Sequence, residues 1–427
     1  MSQRDGDNGT ATSTDEVKPR WRLVGPGLVV AGTGVGAGDL VATLTAGSKF
    51  GYALLWAVVL GTLFKIALVE GAGRFSLATG RTIFQGWQTL GRWTGWYFGP
   101  YIVIWGIVYG ATAMSSSALP LVALFPEGPD LKVWAISMGL IGFALVWLGR
   151  YGIVEKLMAL FVGIMFVTVV GAAVLATPNL PDMVGGLVPR IPDGGLVNTL
   201  AVAGGVGGTI TLAAYGYWLR EKGWSTPGWM KVMRIDNSMA YVMTGIFVVA
   251  MLIVGAELLY SSNIAVGSGD KALIGLSDVL DDRYGEFFGK LFLFGFWASS
   301  FSSLLGVWHG VSLMFADYLG TSRGLAKDDP RMHSGGAYYR GYVLWLTFPS
   351  MALLFLDEPV AIILAYGVLG SIFMPFLALT LLGLLNTDRV PREWRNGLFG
   401  NVVLGVCALM FLAVGANELY KAVTGVF

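Results

Sequence analysis

Apolar residues run along this chain in blocks of about twenty, punctuated by short polar stretches rich in Arg, Pro and Gly. A helix rising about 1.5 Å per residue needs a block of that length to cross a hydrocarbon core. The pattern predicts eleven crossings: Leu23–Phe50, Ala53–Ala72, Trp96–Leu124, Val133–Leu148, Val154–Ala176, Leu196–Leu219, Met239–Tyr260, Phe287–Tyr318, Tyr342–Leu356, Val360–Leu385 and Leu398–Tyr420. Glycine clusters interrupt two of them, the first at Gly32-Thr33-Gly34-Val35-Gly36-Ala37-Gly38-Asp39 and the sixth at Gly204-Gly205-Val206-Gly207-Gly208-Thr209. The clusters lie about 170 residues apart, and each opens a block of five apolar segments. Paired broken helices at matching places in two halves point to a binding site. Glycine lets the backbone leave the helix and turn its carbonyls toward a ligand. In lipid, such backbone is tolerated only where it lines a protein cavity.

Composition agrees: 55% hydrophobic, 13% charged and a mean hydropathy of +0.66 describe an integral membrane protein. The net charge of +1 hides an asymmetry. With the N-terminus on the cytoplasmic side, twenty of the 28 Lys and Arg fall on inner segments and seven on outer ones, with Lys65 inside the second span. That excess predicts a cell-membrane protein with a cytoplasmic N-terminus and an extracytoplasmic C-terminus. Residues 1–20 read as a disordered cytoplasmic tail, and the polar Met1–Thr14 lacks the pattern of a signal peptide. Residues 21–176 then form a first repeat, 177–195 an extracellular linker, 196–385 a second repeat, and 386–427 the eleventh helix. Asp270, Asp278, Asp281, Asp282 and Glu286 crowd one outer segment, which reads as a solvated loop. A single cysteine, Cys407, excludes an internal disulfide.

Gly25-Pro26-Gly27-Leu28 through Asp39, followed by Gly47-Ser48-Lys49-Phe50-Gly51-Tyr52-Ala53-Leu54-Leu55-Trp56, resembles the opening of the Nramp family of divalent-metal transporters. The resemblance continues through Gly73-Arg74-Phe75-Ser76-Leu77-Ala78-Thr79-Gly80, Ala298-Ser299-Ser300-Phe301-Ser302-Ser303 and Met374-Pro375-Phe376. It implies an all-α fold with an inverted repeat of five plus five helices (the LeuT-type fold, shared with sodium-coupled amino-acid symporters), broken helices 1 and 6, and an eleventh helix. The family's first break carries Asp-Pro-Gly-Asn, whose Asp and Asn hold the metal; here Gly36-Ala37-Gly38-Asp39 stands in its place. Its sixth helix carries Met-Pro-His, where this chain has Thr211-Leu212-Ala213. Gly110 and Ala113 replace two acidic residues on the family's proton route in the third helix.

The remaining donors are hard oxygens: Asp39, the carbonyls of Thr33 and Gly208, and the hydroxyls of Thr33, Thr209 and Thr211, with Gly36 at the first break. Oxygen donors favour Mg²⁺, Ca²⁺ or Mn²⁺ over softer transition metals. Mg²⁺ keeps several waters and needs only one or two carboxylates. Asp39 also suits a helix N-terminus, so it reads as a cap, or as a cap that also contacts substrate. Thr209 and Thr211 have the same two readings. Lys65 lies about twelve residues into the second span. It could snorkel to the cytoplasm, pair with Asp39, or stand in for a coupling cation. A fixed ammonium at the site would favour an anionic or zwitterionic solute. Ser299, Ser300, Ser302 and Ser303 offer either a sodium site or close helix packing. His309 is a proton-relay candidate in the same helix, with Asp317 nearby, and His333 reads as a solvated loop residue.

Gly32-x-Gly34-x-x-Ala37 matches a dinucleotide fingerprint, but no βαβ unit surrounds it. Nothing else in the chain has the spacing of an enzyme's active site, and neither a cofactor nor a nucleic-acid partner is expected. The leading expectation is a secondary transporter of a hard divalent cation, Mg²⁺ or Mn²⁺, with weak or no proton coupling. The alternative is a carrier of a small organic or anionic solute on the same scaffold. A non-transporting membrane sensor is the third reading.

Overall fold

The computed structural model describes residue 17 and residues 25–148, 151–205, 208–260, 270–326, 329–356 and 359–424. For 37–41, 197, 200, 201, 204, 205, 270–275, 359–365, 367, 368, 371, 414, 417–419 and 421–424 only the backbone is described. Most of the expected tail thus lies outside the described residues. Val17 is the exception, and its N–H donates to Gly228 O at 3.0 Å.

The described chain is helical and contains no strand. The first apolar block is two helices, α1 (Gly27–Gly34) and α2 (Ala37–Phe50), parted at Val35 and Gly36. Next come α3 (Leu55–Thr79), α4 (Ile83–Leu90), α5 (Arg92–Leu124), α6 (Leu131–Leu148), α7 (Tyr151–Met165) and α8 (Gly171–Leu175), the last two joined by a π turn. After α9 (Leu180–Gly186), the sixth block is again split, into α10 (Leu196–Gly205) and α11 (Thr211–Glu221). Then follow α12 (Met230–Val254), α13 (Asp270–Tyr284), α14 (Glu286–Ser322), α15 (Ala337–Leu353), α16 (Pro359–Leu385) and α17 (Leu398–Thr424). Both expected breaks are therefore present. Among the described residues six helices are long and apolar enough to cross a membrane.

The acidic outer segment differs from expectation. It forms α13 rather than a loop, because Leu276 and Leu280, one turn apart, bury one face while Asp278 and Asp282 stay exposed. The short α4 was not expected either. Its start is fixed by a capping box in which Thr82 accepts from Gln85 N–H and the Gln85 side chain accepts from Thr82 N–H.

α14 is the central post, packed against α5, α7, α15, α1 and α11. Large apolar side chains such as Leu63, Val167, Leu398 and Leu409 remain exposed on the outer helix faces, as lipid contact requires. Charges gather at helix ends. Glu70, at the polar end of α3, pairs with Arg74 at 3.1 Å and with Arg234 of α12 at 2.9 Å. Arg74 also donates to Trp394 O and Asn396 Oδ1, pinning the turn before α17. α1 has no side-chain cap of its own. Asp236 of α12 supplies one, accepting from Gly27 N–H at 2.7 Å and from Tyr215 OH at 2.8 Å.

Candidate functional site

Where a helix breaks, carbonyls lose their intrahelical donors and need others. At the first break those donors come from α14. Ser303 Oγ donates to Thr33 O at 2.8 Å and Ser299 Oγ to Val35 O, while Ser302 Oγ shares its proton between Gly32 O at 2.9 Å and Ser299 O at 2.8 Å. Positions 299, 302 and 303 lie three and four apart, so one face of α14 delivers all three hydroxyls. Three hydroxyls of this serine run thus hold the unwound backbone in place. Ser300 is the exception; it donates to Phe296 O in its own helix and borders the cavity described below.

The second break is held differently. Gly208 has φ +86°, a conformation costly for any residue with a Cβ. Its carbonyl accepts a hydrogen bond from Lys65 Nζ, which comes from α3 and is fully buried. Lys65 therefore does not snorkel; it reaches inward, to the break. Its ammonium also lies 3.8 Å from Met374 Sδ of α16 and 5.5 Å from the centre of the Phe411 ring of α17.

Between the two breaks lies a cavity of about 40 Å³. From the candidates named above it gathers Thr33, Gly36, Gly208, Thr209, Thr211 and Ser303. Thr33 Oγ1 donates to Val29 O, so its oxygen stays available as an acceptor. Ser299 and Ser302 act one layer behind, through the backbone. Gly36 is the N-cap of α2, so the N-terminal end of that half-helix opens on the cavity. Asp39 is the third residue of α2; its side chain lies outside the described residues. Lys65 is not among the lining residues and reaches one of them, Gly208, through its carbonyl.

α5 and α16 complete the lining with residues that sequence reasoning missed: Trp105, Tyr109, Thr112, Ser116 and Tyr366. Tyr109 OH and Ser303 Oγ are 2.9 Å apart, and Trp105 stacks on Tyr109 with ring centres 4.6 Å apart. The available signal was the run of hydroxyls at 109, 112 and 116, which share a helical face. Of the two positions where the resemblance expects acids, Ala113 does border the cavity. Gly110 instead packs on α15, where a Cβ would come within 2.3 Å of Leu346 O. No described residue that lines the cavity carries a charge, a thioether or an imidazole.

His309 is buried but outside this lining. Its Nδ1 accepts from Trp218 Nε1 at 3.1 Å, which leaves the ring proton on Nε2 when the imidazole is neutral. Asp317 borders a second cavity of about 250 Å³, together with Glu221 and His333. Its carboxylate accepts from Thr82 Oγ1, from Tyr217 OH at 2.7 Å and from Thr321 Oγ1 at 2.9 Å. That acid ties α4, α11 and α14 together. His333 is exposed, as expected, although it also borders this second cavity.

The sequence signature of the natural resistance-associated macrophage protein-like (Nramp) family matches residues 27–421. The chain is 26% identical over 340 residues to the divalent metal cation transporter MntH of Mycobacterium leprae (strain TN), covering 74% of this chain and 76% of that one. It is 25% identical over 425 residues to MntH of Mycobacterium tuberculosis (strain ATCC 25618 / H37Rv), with 96% and 94% covered. The crystal structure of the Eremococcus coleocola manganese transporter in complex with an aromatic bis-isothiourea substituted compound superposes with a TM-score of 0.78. At 16% identity, with 97% of this chain and 91% of that chain covered, that likeness is one of fold.

Proposed function

This chain belongs to the Nramp family, and from that premise we propose that it is a secondary transporter of a hard divalent cation, Mg²⁺ or Mn²⁺, with weak or no proton coupling. The observation that carries the proposal is the cavity between the two breaks. Hydroxyl-bearing side chains, the glycines of the two breaks and the indole of Trp105 supply its described polar lining, and no soft donor is among them. Oxygen donors suit Mg²⁺ and Mn²⁺. The relatives named MntH are divalent metal cation transporters, which supports a divalent ion here.

In this reading the ion sits at the two breaks, held by the carbonyl of Thr33 and the hydroxyls of Thr33, Thr209 and Thr211; the Gly208 carbonyl, expected among its ligands, is taken by the Lys65 ammonium, which would repel a divalent ion on the same oxygen. The Thr33 carbonyl accepts one neutral donor, Ser303 Oγ, and keeps a second lone pair. Asp39 supplies the carboxylate from the first turn of α2, where the helix dipole favours negative charge. Waters retained by the ion complete its shell.

Size speaks against a drug-sized organic solute. Pockets for drug-sized organic ligands run to about 300–1,000 Å³, while this cavity has about 40 Å³. Weak proton coupling is supported by the residues at the positions where the family carries titratable groups. Gly110, Ala113 and Ala213 cannot carry a proton, and His309 stands apart with one nitrogen engaged by Trp218. The inverted repeat, the eleven crossings and the cytoplasmic N-terminus complete the proposal.

Calorimetric titration of the purified protein tests it. Saturable binding of Mg²⁺ or Mn²⁺, lost in Asp39→Ala, is the expected result. Absence of any divalent binding by a folded wild type would refute it.

A further inference from the structure

We propose that Lys65 is a tethered monovalent cation: its ammonium occupies a cation position at the break of the sixth apolar block that a free ion would otherwise fill. The argument rests on the geometry of that position and not on which solute is transported.

Gly208 turns its carbonyl out of the helix at the break, and Lys65 Nζ meets it at 2.5 Å. Among the described groups near the ammonium are Met374 Sδ at 3.8 Å and the face of Phe411 at 5.5 Å. A carbonyl dipole, a polarisable thioether and an aromatic face all attract a cation. They come from three parts of the chain far apart in sequence, and only their convergence makes the position. Lys65 is fully buried, so it has left water entirely to be there. An ammonium in the membrane interior is costly and marks a functional position. Lysine is suited to this use, because its head is a compact point charge on a flexible stem with three donors.

The position is therefore a cation site built for an ion of ammonium size, filled through a covalent tether. A transporter with this arrangement needs no mobile monovalent ion at that position. The tether also binds α3 to the break, so a purely mechanical pin is the competing explanation. A free ion can replace a charge but cannot replace a pin.

Chemical rescue separates the two. Lys65→Ala removes the ammonium and most of the stem, opening the position to small ions. Its apparent Tm is measured in detergent at constant ionic strength, in ammonium, potassium, sodium or N-methylglucamine chloride. The expected result is a saturable rise of about 2–4 °C with ammonium or potassium over N-methylglucamine. The wild type should show no such preference. Lys65→Met, whose side chain fills the same space without charge, should show none either. A Lys65→Ala protein indifferent to the cation, or a wild type with an equal preference, would overturn the proposal. Should Lys65→Ala not fold in N-methylglucamine, the comparison moves to the yield of monodisperse protein from each salt. Yield restored by ammonium or potassium supports the tethered cation, and equal yields in all salts overturn it. Because no divalent ion enters this test, its failure leaves the metal-transport proposal standing, and the reverse holds too.

Discussion

Ser299, Ser302 and Ser303 show how single hydroxyls can hold a membrane helix open. Ser299 and Ser303 each donate to a carbonyl freed by the first break, and Ser302 shares its proton between Gly32 O and Ser299 O. An orphaned buried carbonyl costs about 1–3 kcal/mol. Ser302→Ala should therefore destabilise the protein by about that amount, read as a fall in apparent Tm. An unchanged Tm would mean that another donor takes over Gly32 O. At the proposed ion site the predictions are chemical. Asp39→Ala should abolish Mg²⁺ and Mn²⁺ uptake in proteoliposomes while leaving the protein folded. Uptake surviving that change would reduce Asp39 to a capping role. Thr211→Met should admit Cd²⁺, because it places a thioether on a cavity that otherwise offers oxygens. Continued exclusion of Cd²⁺ would mean that position 211 does not touch the ion. The glycine clusters and the serine run could be read from the sequence, since residue type alone marks them. The match between each serine and its carbonyl could not, because it depends on how α14 lies across α1. Lys65 was visible as an anomaly, yet its partners Gly208, Met374 and Phe411 are 143 or more residues away.

The elements differ in how strongly local sequence dictates them. The two split helices follow from glycine. α13 was mistaken for a loop because its acids dominate the composition, while the pair Leu276 and Leu280 that makes it amphipathic is a weak signal. The cavity-facing side of α5 was missed for a similar reason: comparison with the family drew attention to Gly110 and Ala113, away from Tyr109, Thr112 and Ser116. α4 depends on Thr82 twice, as its N-cap and as a donor to the buried Asp317. Thr82→Ala should cost about 1–3 kcal/mol, and Thr82→Ser should restore most of it. Equal Tm values for the two variants would show that the hydroxyl does not anchor α4.

At the scale of the whole molecule, the charge count along the chain and the family match point to one architecture. The proposed topology puts α13 and the C-terminal end of α14 on opposite sides of the membrane. Single cysteines at Asp282 and Ser322, both exposed, should react from opposite faces in a Cys407→Ala background. Labelling of both from one side would contradict it. The proton economy also belongs to this scale. The described lining holds no carboxylate, imidazole or thiol, so uptake should vary little between about pH 5.5 and 7.5. The central claim is that a hard divalent cation crosses without a proton. Proteoliposomes holding both a trapped pH dye and a divalent-ion indicator test it in one recording. The account predicts saturable entry of Mg²⁺ or Mn²⁺ with no acidification of the lumen. Entry accompanied by luminal acidification that disappears in His309→Ala, or no divalent entry at all, would contradict it.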